Sequence, residues 1–173
     1  MVLRSLLRRP AVILSAGIIL LSCIALLSAT KGKFTKADKA FYADDKTINF
    51  VRPGLTVKIL SAEIAADGTA KARVQFTDPR GLPLDRLGIN TPGTIGASFI
   101  LVTIPQGETT YKAYTTRVQT SPITSVAATQ AGADSGGTWT EGANGEYTYT
   151  FRTKAPTGYD RAATHAVSVY ASR

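Results

Sequence analysis

Cysteine and histidine are almost missing from this 173-residue sequence, which contains one of each, Cys23 and His165. A metal centre built from nitrogen and sulfur needs three or four such ligands, so a zinc-type site is excluded. Covalent attachment of c-type haem requires a Cys-x-x-Cys-His motif, and none occurs. Because Cys23 lies in the N-terminal apolar segment, the remaining chain has no internal disulfide and depends on its core for stability.

Catalytic motifs are equally scarce. A Ser-His-Asp or Cys-His unit would have to use His165, yet the local alternation places this side chain beside valines, and no Gly-x-Ser-x-Gly motif occurs. The 12 acidic residues lie mostly in expected turns or on strand exteriors, without a pair facing a cleft, and no phosphate-binding glycine loop is present. We therefore expect no enzyme activity, no catalytic residues and no cofactor-binding residues in this chain.

Calcium is the one ion that the composition leaves open, because it takes oxygen ligands. Asp44 with Asp45, or Asp78 with Asp85, could supply carboxylates. No Asp-x-Asp-x-Asp-Gly loop is present, however, and isolated aspartates usually cap turns. The sequence accordingly predicts no metal ligands.

The first 30 residues have the pattern of an export signal or membrane anchor. Arg4, Arg8 and Arg9 precede an apolar run over residues 11–29, and a basic start before an apolar segment is what the secretion machinery recognises. We expect an exported protein of the periplasm, outer membrane or cell surface.

Three fates of this segment stay open. Cleavage after Ala29 ranks first, because Ser28 and Ala29 satisfy the small-residue rule. Leu20-Leu21-Ser22-Cys23 resembles a lipoprotein box with Cys23 as the lipidated residue, although the apolar run continues beyond it. Residues 11–29 are also just long enough for a retained single-span anchor, which the lysines at positions 31, 33, 36 and 39 disfavour.

Positive charge exceeds negative charge only mildly outside the export segment. The full chain carries a net charge of +8, and removing the three N-terminal arginines leaves 17 basic against 12 acidic residues, or +5. These charges are scattered along expected strands and do not form a run with interleaved aromatics, so nucleic acid is not an expected partner.

Period-two alternation dominates the rest of the chain and predicts strands. Residues 55–64 and 70–77 form two alternating runs around Asp67-Gly68, which predicts a hairpin with a two-residue primed turn, and a change of phase near Ile59-Leu60 predicts a bulge. Apolar residues 97–104 predict a central strand, and further strands are expected around 111–116, 147–151 and 165–171.

Together these patterns predict a polar linker over residues 31–46 and one immunoglobulin-like antiparallel β-sandwich of about seven strands over residues 47–173. The stretches 81–94 and 130–145 are rich in glycine and irregular, and are interpreted as crossings between sheets. Tyr147, after Asn144-Gly145, resembles the tyrosine corner of such domains, with an ordinary core tyrosine as the alternative.

Several segments, taken in their order, resemble a known family. They are residues 41–46 (Phe-Tyr-Ala-Asp-Asp-Lys), 50–55 (Phe-Val-Arg-Pro-Gly-Leu), 76–85 (Phe-Thr-Asp-Pro-Arg-Gly-Leu-Pro-Leu-Asp), 111–117 (Tyr-Lys-Ala-Tyr-Thr-Thr-Arg) and 145–151 (Gly-Glu-Tyr-Thr-Tyr-Thr-Phe). The chain resembles the N-terminal region of OmcA/MtrC-type decahaem c-type cytochromes. The resemblance implies a signal peptide and a β domain ahead of a haem-bearing region in an electron-transfer protein at the outer membrane.

The missing haem motifs are a large departure from that family, and no haem ligand of the family maps onto a position here. The resemblance implies that the chain is a fragment or split product, whose sandwich scaffolds or spaces haem domains that belong to a downstream region or another subunit. Its expected partners are a haem-bearing cytochrome domain or subunit and components of the outer membrane or cell surface.

The alternative is a free-standing exported adhesion module that binds a protein or glycan through the loops at 81–94 and 130–145. Trp139 and Arg86 are then the candidate contact residues, although a tryptophan in this position more often belongs to a core.

Overall fold

The computed structural model describes residues 34–173. The predictions for residues 1–30, including cleavage, lipidation of Cys23 and the anchor, lie outside this range. Within it, no helix combines the length and the apolar character needed to cross a membrane. The chain divides into two compact units between Asn49 and Phe50.

Two short helices replace much of the expected linker. A 3-10 helix covers Lys39–Tyr42, and an α-helix, α1, covers Asp45–Val51. The Asp44 carboxylate accepts hydrogen bonds from the Thr47 amide at 2.8 Å and the Thr47 hydroxyl at 2.9 Å, which satisfies an amide that the first turn of a helix leaves unpaired. Asp44 therefore caps α1, and the expectation of strands directly after residue 46 is wrong because this cap starts a helix.

Nine strands follow, and all of their pairings are antiparallel. Their bounds are β1 Thr56–Ile64, β2 Ala70–Thr77, β3 Gly96–Ile104, β4 Lys112–Ala113, β5 Thr116–Thr120, β6 Ala127–Ala131, β7 Thr138–Glu141, β8 Glu146–Thr150 and β9 Thr164–Ser172. One sheet has the order β1-β2-β8-β7, a second has the order β4-β3-β9, and β5 pairs with β6 alone. The predicted all-β sandwich is confirmed.

The predicted hairpin and bulge are present. β1 pairs with β2, and the register shifts between Ile59 and Ser61, which leaves Leu60 as the extra residue. The turn is of a different type from the predicted one. Among the non-glycine residues with positive φ Asp67 does not appear, whereas Gly68 has a φ of 81°, and the Gly68 amide donates to the Ala65 carbonyl at 2.9 Å. A three-residue loop with glycine in the left-handed position results.

The primed turn occurs elsewhere, between β7 and β8. Asn144 and Gly145 have φ values of 56° and 74°, the two positive values that a type I′ turn requires. The stretch 130–145 is thus not the irregular crossing predicted, because it contains β7 and the end of β6. The β5–β6 hairpin was also missed, since all ten of its residues are exposed and show no apolar alternation.

The core lies between the two larger sheets and is largely aromatic. The inward residues of β2 and β8 are fully buried and pack against β3; they include Val74, Phe76, Tyr147, Tyr149, Phe99 and Leu101. Phe99 of β3 stacks on Tyr149 of β8 with ring centroids 4.4 Å apart. This contact joins the two sheets, and burying such rings supplies much of the stabilisation of a fold without disulfides.

Candidate functional site

The loop between β2 and β3 contains most of the residues that the sequence singled out, and its first turn is organised by Asp78. The Asp78 side chain is 2% exposed and accepts hydrogen bonds from the amides of Arg80 at 2.8 Å and Leu82 at 2.9 Å. Its second carboxylate oxygen lies 3.5 Å from the Arg80 guanidinium. Asp78 is consequently engaged by its own loop, as an Asx turn residue is expected to be.

Asp85 organises the second part of the same loop. Its carboxylate accepts hydrogen bonds from the amides of Leu87 and Asn90, both at 2.8 Å, and from the amide of Ile89. Desolvation opposes ionisation of Asp85, but the hydrogen bonds from these three amides outweigh it and lower the pKa of the carboxyl below its usual value. The loop is therefore wrapped around a carboxylate and holds a defined shape.

Calcium binding at the two predicted aspartate pairs finds no support in this geometry. Among residues 34–173, no group of three or more His, Cys, Asp or Glu side chains could hold a metal ion. Asp44 caps α1, and the oxygens of Asp78 and Asp85 accept hydrogen bonds from loop amides.

Arg86 and Trp139, the two candidate contact residues, touch each other. The Arg86 guanidinium carbon lies 4.8 Å from the centroid of the Trp139 ring, within the range of a cation–π interaction. Trp139 belongs to β7, is half-buried and contacts the core rings of Tyr149 at 4.9 Å and Phe99 at 5.6 Å. Trp139 is thus a core residue with one face under Arg86, which agrees with the more common role of tryptophan.

Tyr147 connects the loop to the sandwich. Its hydroxyl accepts a hydrogen bond from the Arg86 amide at 2.9 Å, and burial raises the pKa of this tyrosine. The predicted tyrosine corner is wrong in its geometry, since the bonded backbone lies 61 residues away in sequence and not a few residues upstream. The contact instead fixes the loop between β2 and β3 against β8.

Three large apolar side chains of the loop point outward. Leu82, Leu87 and Ile89 are 41%, 51% and 77% exposed. We refer to these three residues as the loop surface. Exposed apolar residues on a loop held by a rigid scaffold are a common feature of binding surfaces, so the loop around Arg86 and the loop surface are the candidate interaction site.

His165 lies away from this site, on β9. Its Nε2 atom is 3.0 Å from the hydroxyl oxygen of Tyr114, and its ring packs edge-on against Tyr159. Val167 and Val169 share its half-buried face, as the alternation predicted. The arrangement provides no nucleophile next to His165.

Asp134 is a residue that sequence reasoning missed. It is 6% exposed and lies outside the nine strands, yet its amide and carbonyl both bond to Phe99 of β3. Its carboxylate accepts hydrogen bonds from the Tyr149 hydroxyl and, at 2.7 Å, from the Thr153 amide. Nothing in the local pattern around Asp134 distinguishes it from a surface aspartate.

Comparisons with known proteins give one structural match. No protein-family profile matches the sequence, and no curated protein matches it. The crystal structure of the outer membrane decaheme cytochrome OmcA matches with a TM-score of 0.49 and 16% sequence identity, over 66% of this chain and 20% of that chain. The chain thus spans about one fifth of the length of that cytochrome.

Proposed function

We propose that this chain is a non-catalytic β-sandwich module of an exported multihaem cytochrome system, in which it acts as a scaffold or spacer for haem-bearing domains. It performs no redox chemistry of its own. Its role lies in an interface with a haem-bearing domain or subunit at the outer membrane or cell surface.

The observation that carries this proposal is that three of the segments behind the family resemblance form one connected unit in the fold. The Phe76 amide donates to the Gly145 carbonyl at 2.9 Å, and the Leu84 amide donates to the Phe76 carbonyl at 3.0 Å. The Arg52 guanidinium donates to the Pro83 carbonyl at 3.0 Å. Segments 50–55, 76–85 and 145–151 are thus similar to the family at positions that depend on one another, which supports a shared packing arrangement.

The test is to ask whether the chain travels with covalently bound haem. An antibody raised against the sandwich would be used to blot extracts of the source cells, and the same blot would be stained for haem peroxidase activity, since thioether-bound haem survives denaturation. A parallel purification under native conditions would be stained in the same way.

Haem in the antibody-reactive band, or in a protein that copurifies with it, is the expected result. Antibody-reactive protein that carries no haem and copurifies with no haem protein contradicts the proposal. An unrelated haem protein that lacks the epitope serves as the control for nonspecific capture.

The loop surface favours a second candidate, a free-standing exported module that binds a protein or glycan. Three large apolar side chains within eight residues of one loop are exposed, and apolar residues in such a position are typical anchors of an interface. For this candidate we expect Leu87→Asp with Ile89→Asp to abolish retention of the labelled chain on washed source cells. Ile123→Asp, at a side chain 91% exposed in the β5–β6 turn, is the matched control. Equal retention of both variants contradicts this candidate.

A further inference from the structure

The sandwich is short of one strand along one side. The sheet β1-β2-β8-β7 has four strands and faces the sheet β4-β3-β9, which has three. The Phe99–Tyr149 stack places β3 across from β8, and β9 and β1 are the edge strands on the same side. The fourth strand of one sheet therefore has no counterpart in the other.

Exposure of inward-facing side chains on β1 marks the uncovered position. Ile59 pairs with Val74 and Ala62 pairs with Ala72, and directly paired residues point to the same face of a sheet. Val74 is 0% exposed, whereas Ile59 is 37% exposed and Ala62 is fully in the exposed class. Two side chains that point to the core side of the sheet are left in solvent.

Two cavities lie along this side, between β1 and β9. The first, about 250 Å³, is lined by residues that include Ala62, Ile64, His165 and Val167. The second, about 510 Å³, is lined by residues that include Val57 and Ala171. We refer to Val57, Ile59, Ala62, Ile64, Val167 and Ala171 as the β1–β9 groove.

The backbone of β9 offers a free hydrogen-bonding edge along the groove. Both backbone groups of Phe99 bond to Asp134, and the Leu101 carbonyl accepts from Tyr114, so these residues of β3 turn away from β9. In an antiparallel ladder, bonded and non-bonded pairs alternate. Because Phe99 pairs with Val169 and Leu101 with Val167, these two residues and their alternate neighbours direct N–H and C=O groups outward, where no backbone partner is found among residues 34–173.

We propose that the β1–β9 groove accepts an extended strand of a partner polypeptide, which adds to β9 and covers the inner face of β1. A polypeptide backbone is the ligand that matches outward N–H and C=O groups at the spacing of alternate residues. The added strand also fills the position that the last strand occupies in an immunoglobulin sandwich, beside the strand equivalent to β9. This inference goes beyond the proposed function and does not depend on haem.

A second copy of the chain fits this position poorly. Pairing of two β9 edges would place the projecting β1 of each copy over the β9 of the other, where its own β2 and β8 already supply the facing layer. A single strand that is not part of a sandwich meets no such obstacle. The occupant is therefore a segment of about six residues, since the groove spans most of a nine-residue strand.

The groove also indicates the sequence of its occupant. Its core side is apolar, so alternate residues of the strand are apolar. Every ladder in the described fold is antiparallel, which places the C-terminal end of the strand beside the start of β9. Arg161 lines the cavity at that end, is exposed and forms no ion pair within residues 34–173, which favours an acidic residue there.

The test uses the purified full chain and the peptide acetyl-Thr-Val-Thr-Val-Thr-Val-Thr-Asp-amide as a probe. A peptide of the same composition with its valines contiguous is the control. Binding is followed by fluorescence anisotropy, and amide hydrogen exchange by NMR reports protection at His165, Val167, Val169 and Ala171. The variants are Ile59→Glu in the groove and Lys58→Glu on the opposite face of β1, both at exposed side chains, so that each variant folds.

We expect saturable binding of the alternating peptide with protection of the four amides, and binding at least about tenfold weaker for the contiguous peptide and for Ile59→Glu. Lys58→Glu retains the affinity of the parent chain. Failure of the folded chain to bind, or equal binding by both peptides, overturns the proposal. Concentration-dependent protection of the same amides without peptide, together with dimers in sedimentation, overturns it in favour of a second copy.

Discussion

At the scale of single residues, Asp134 connects parts of the sandwich that are distant in sequence. Its backbone bonds to Phe99 of β3 at 2.7 and 2.9 Å, and its carboxylate bonds to the Tyr149 hydroxyl and the Thr153 amide. A buried carboxylate is tolerated only when its oxygens are satisfied, and here donors from a tyrosine and the backbone satisfy them. Loss of this charge exposes how much of the stability depends on it.

Asp134 should make stability depend on acid pH. Desolvation opposes its ionisation, but hydrogen bonds from Tyr149 and Thr153 outweigh it and lower its pKa below the usual 3.8. A lowered pKa in the folded state gives stability that is present above the unfolded-state pKa and is lost as pH falls through the folded-state pKa. We expect Asp134→Asn to cost about 1–3 kcal/mol at pH 7 and to unfold with a weaker pH dependence below pH 4.

Urea denaturation of the parent chain and Asp134→Asn at several pH values between 2 and 7 measures both effects. If the two stability curves run parallel throughout this range, Asp134 does not titrate as described. Asp160→Asn, at an exposed aspartate, is the control for a general effect of removing one negative charge.

Large core rings are the second residue-scale determinant. Phe76 and Tyr149 are both 0% exposed and belong to the cluster between the sheets. We expect Phe76→Ala and Tyr149→Ala each to lower the free energy of unfolding by about 3–5 kcal/mol, since each leaves a cavity. Val118→Ala, at a side chain 69% exposed on β5, should change stability by less than about 0.5 kcal/mol. A loss below about 1 kcal/mol for either ring would show that the side chain does not face the core.

At the scale of elements, the β1–β2 hairpin depends on one glycine. Gly68 has a φ of 81°, and a Cβ at this position would lie 2.6 Å from the Ala155 carbonyl oxygen. Gly107 has a similar φ of 79° but no atom within 4 Å of such a Cβ. The two glycines therefore separate the cost of backbone conformation from the cost of steric overlap.

We expect Gly107→Ala to destabilise the protein by about 1 kcal/mol, which is the cost of placing a Cβ in the left-handed region. Gly68→Ala should cost clearly more, because the chain around Ala155 must also move. Thermal and urea unfolding of both variants measures the difference. Equal losses in the two variants would mean that the Ala155 segment moves aside freely.

At the scale of the whole molecule, stability arises without cross-links. Cys23 is the only cysteine, so the fold has no internal disulfide, and packing between two sheets supplies its stabilisation. We expect the Tm to be unchanged by a reducing agent. A lower Tm in the presence of reductant would reveal a disulfide between two copies through Cys23. The Cys23→Ser variant provides the control, because its Tm should not respond to reductant in either case.

The unequal size of the two sheets is the other whole-molecule feature. It leaves Ile59 exposed at a position whose alternation is typical of a core residue, and it leaves one edge of β9 without a backbone partner in the described fold. Unpaired edges are sites where another strand can add. Both the proposed scaffold role and the strand-accepting groove place the function of this protein in its surfaces and not in a catalytic pocket.

What the sequence determined by itself is the set of features that depend on near neighbours. Alternation with period two identified β2, β8 and β9 with the correct residues facing the core, because each strand reports its own buried face. The change of phase at Leu60 located the bulge for the same reason. The lack of cysteine and histidine excluded thiolate and imidazole sites whatever the fold.

Only the tertiary structure decided features that join residues distant in sequence. The contact of Arg86 with Trp139, the bond from the Arg86 amide to Tyr147 and the position of Asp134 each bring together segments that carry no common local pattern. β7 was missed because it is four residues long and its burial comes from packing of Trp139 against rings of other strands. The β1–β9 groove follows from the number of strands in each sheet, and that number depends on long-range pairing which no short segment encodes.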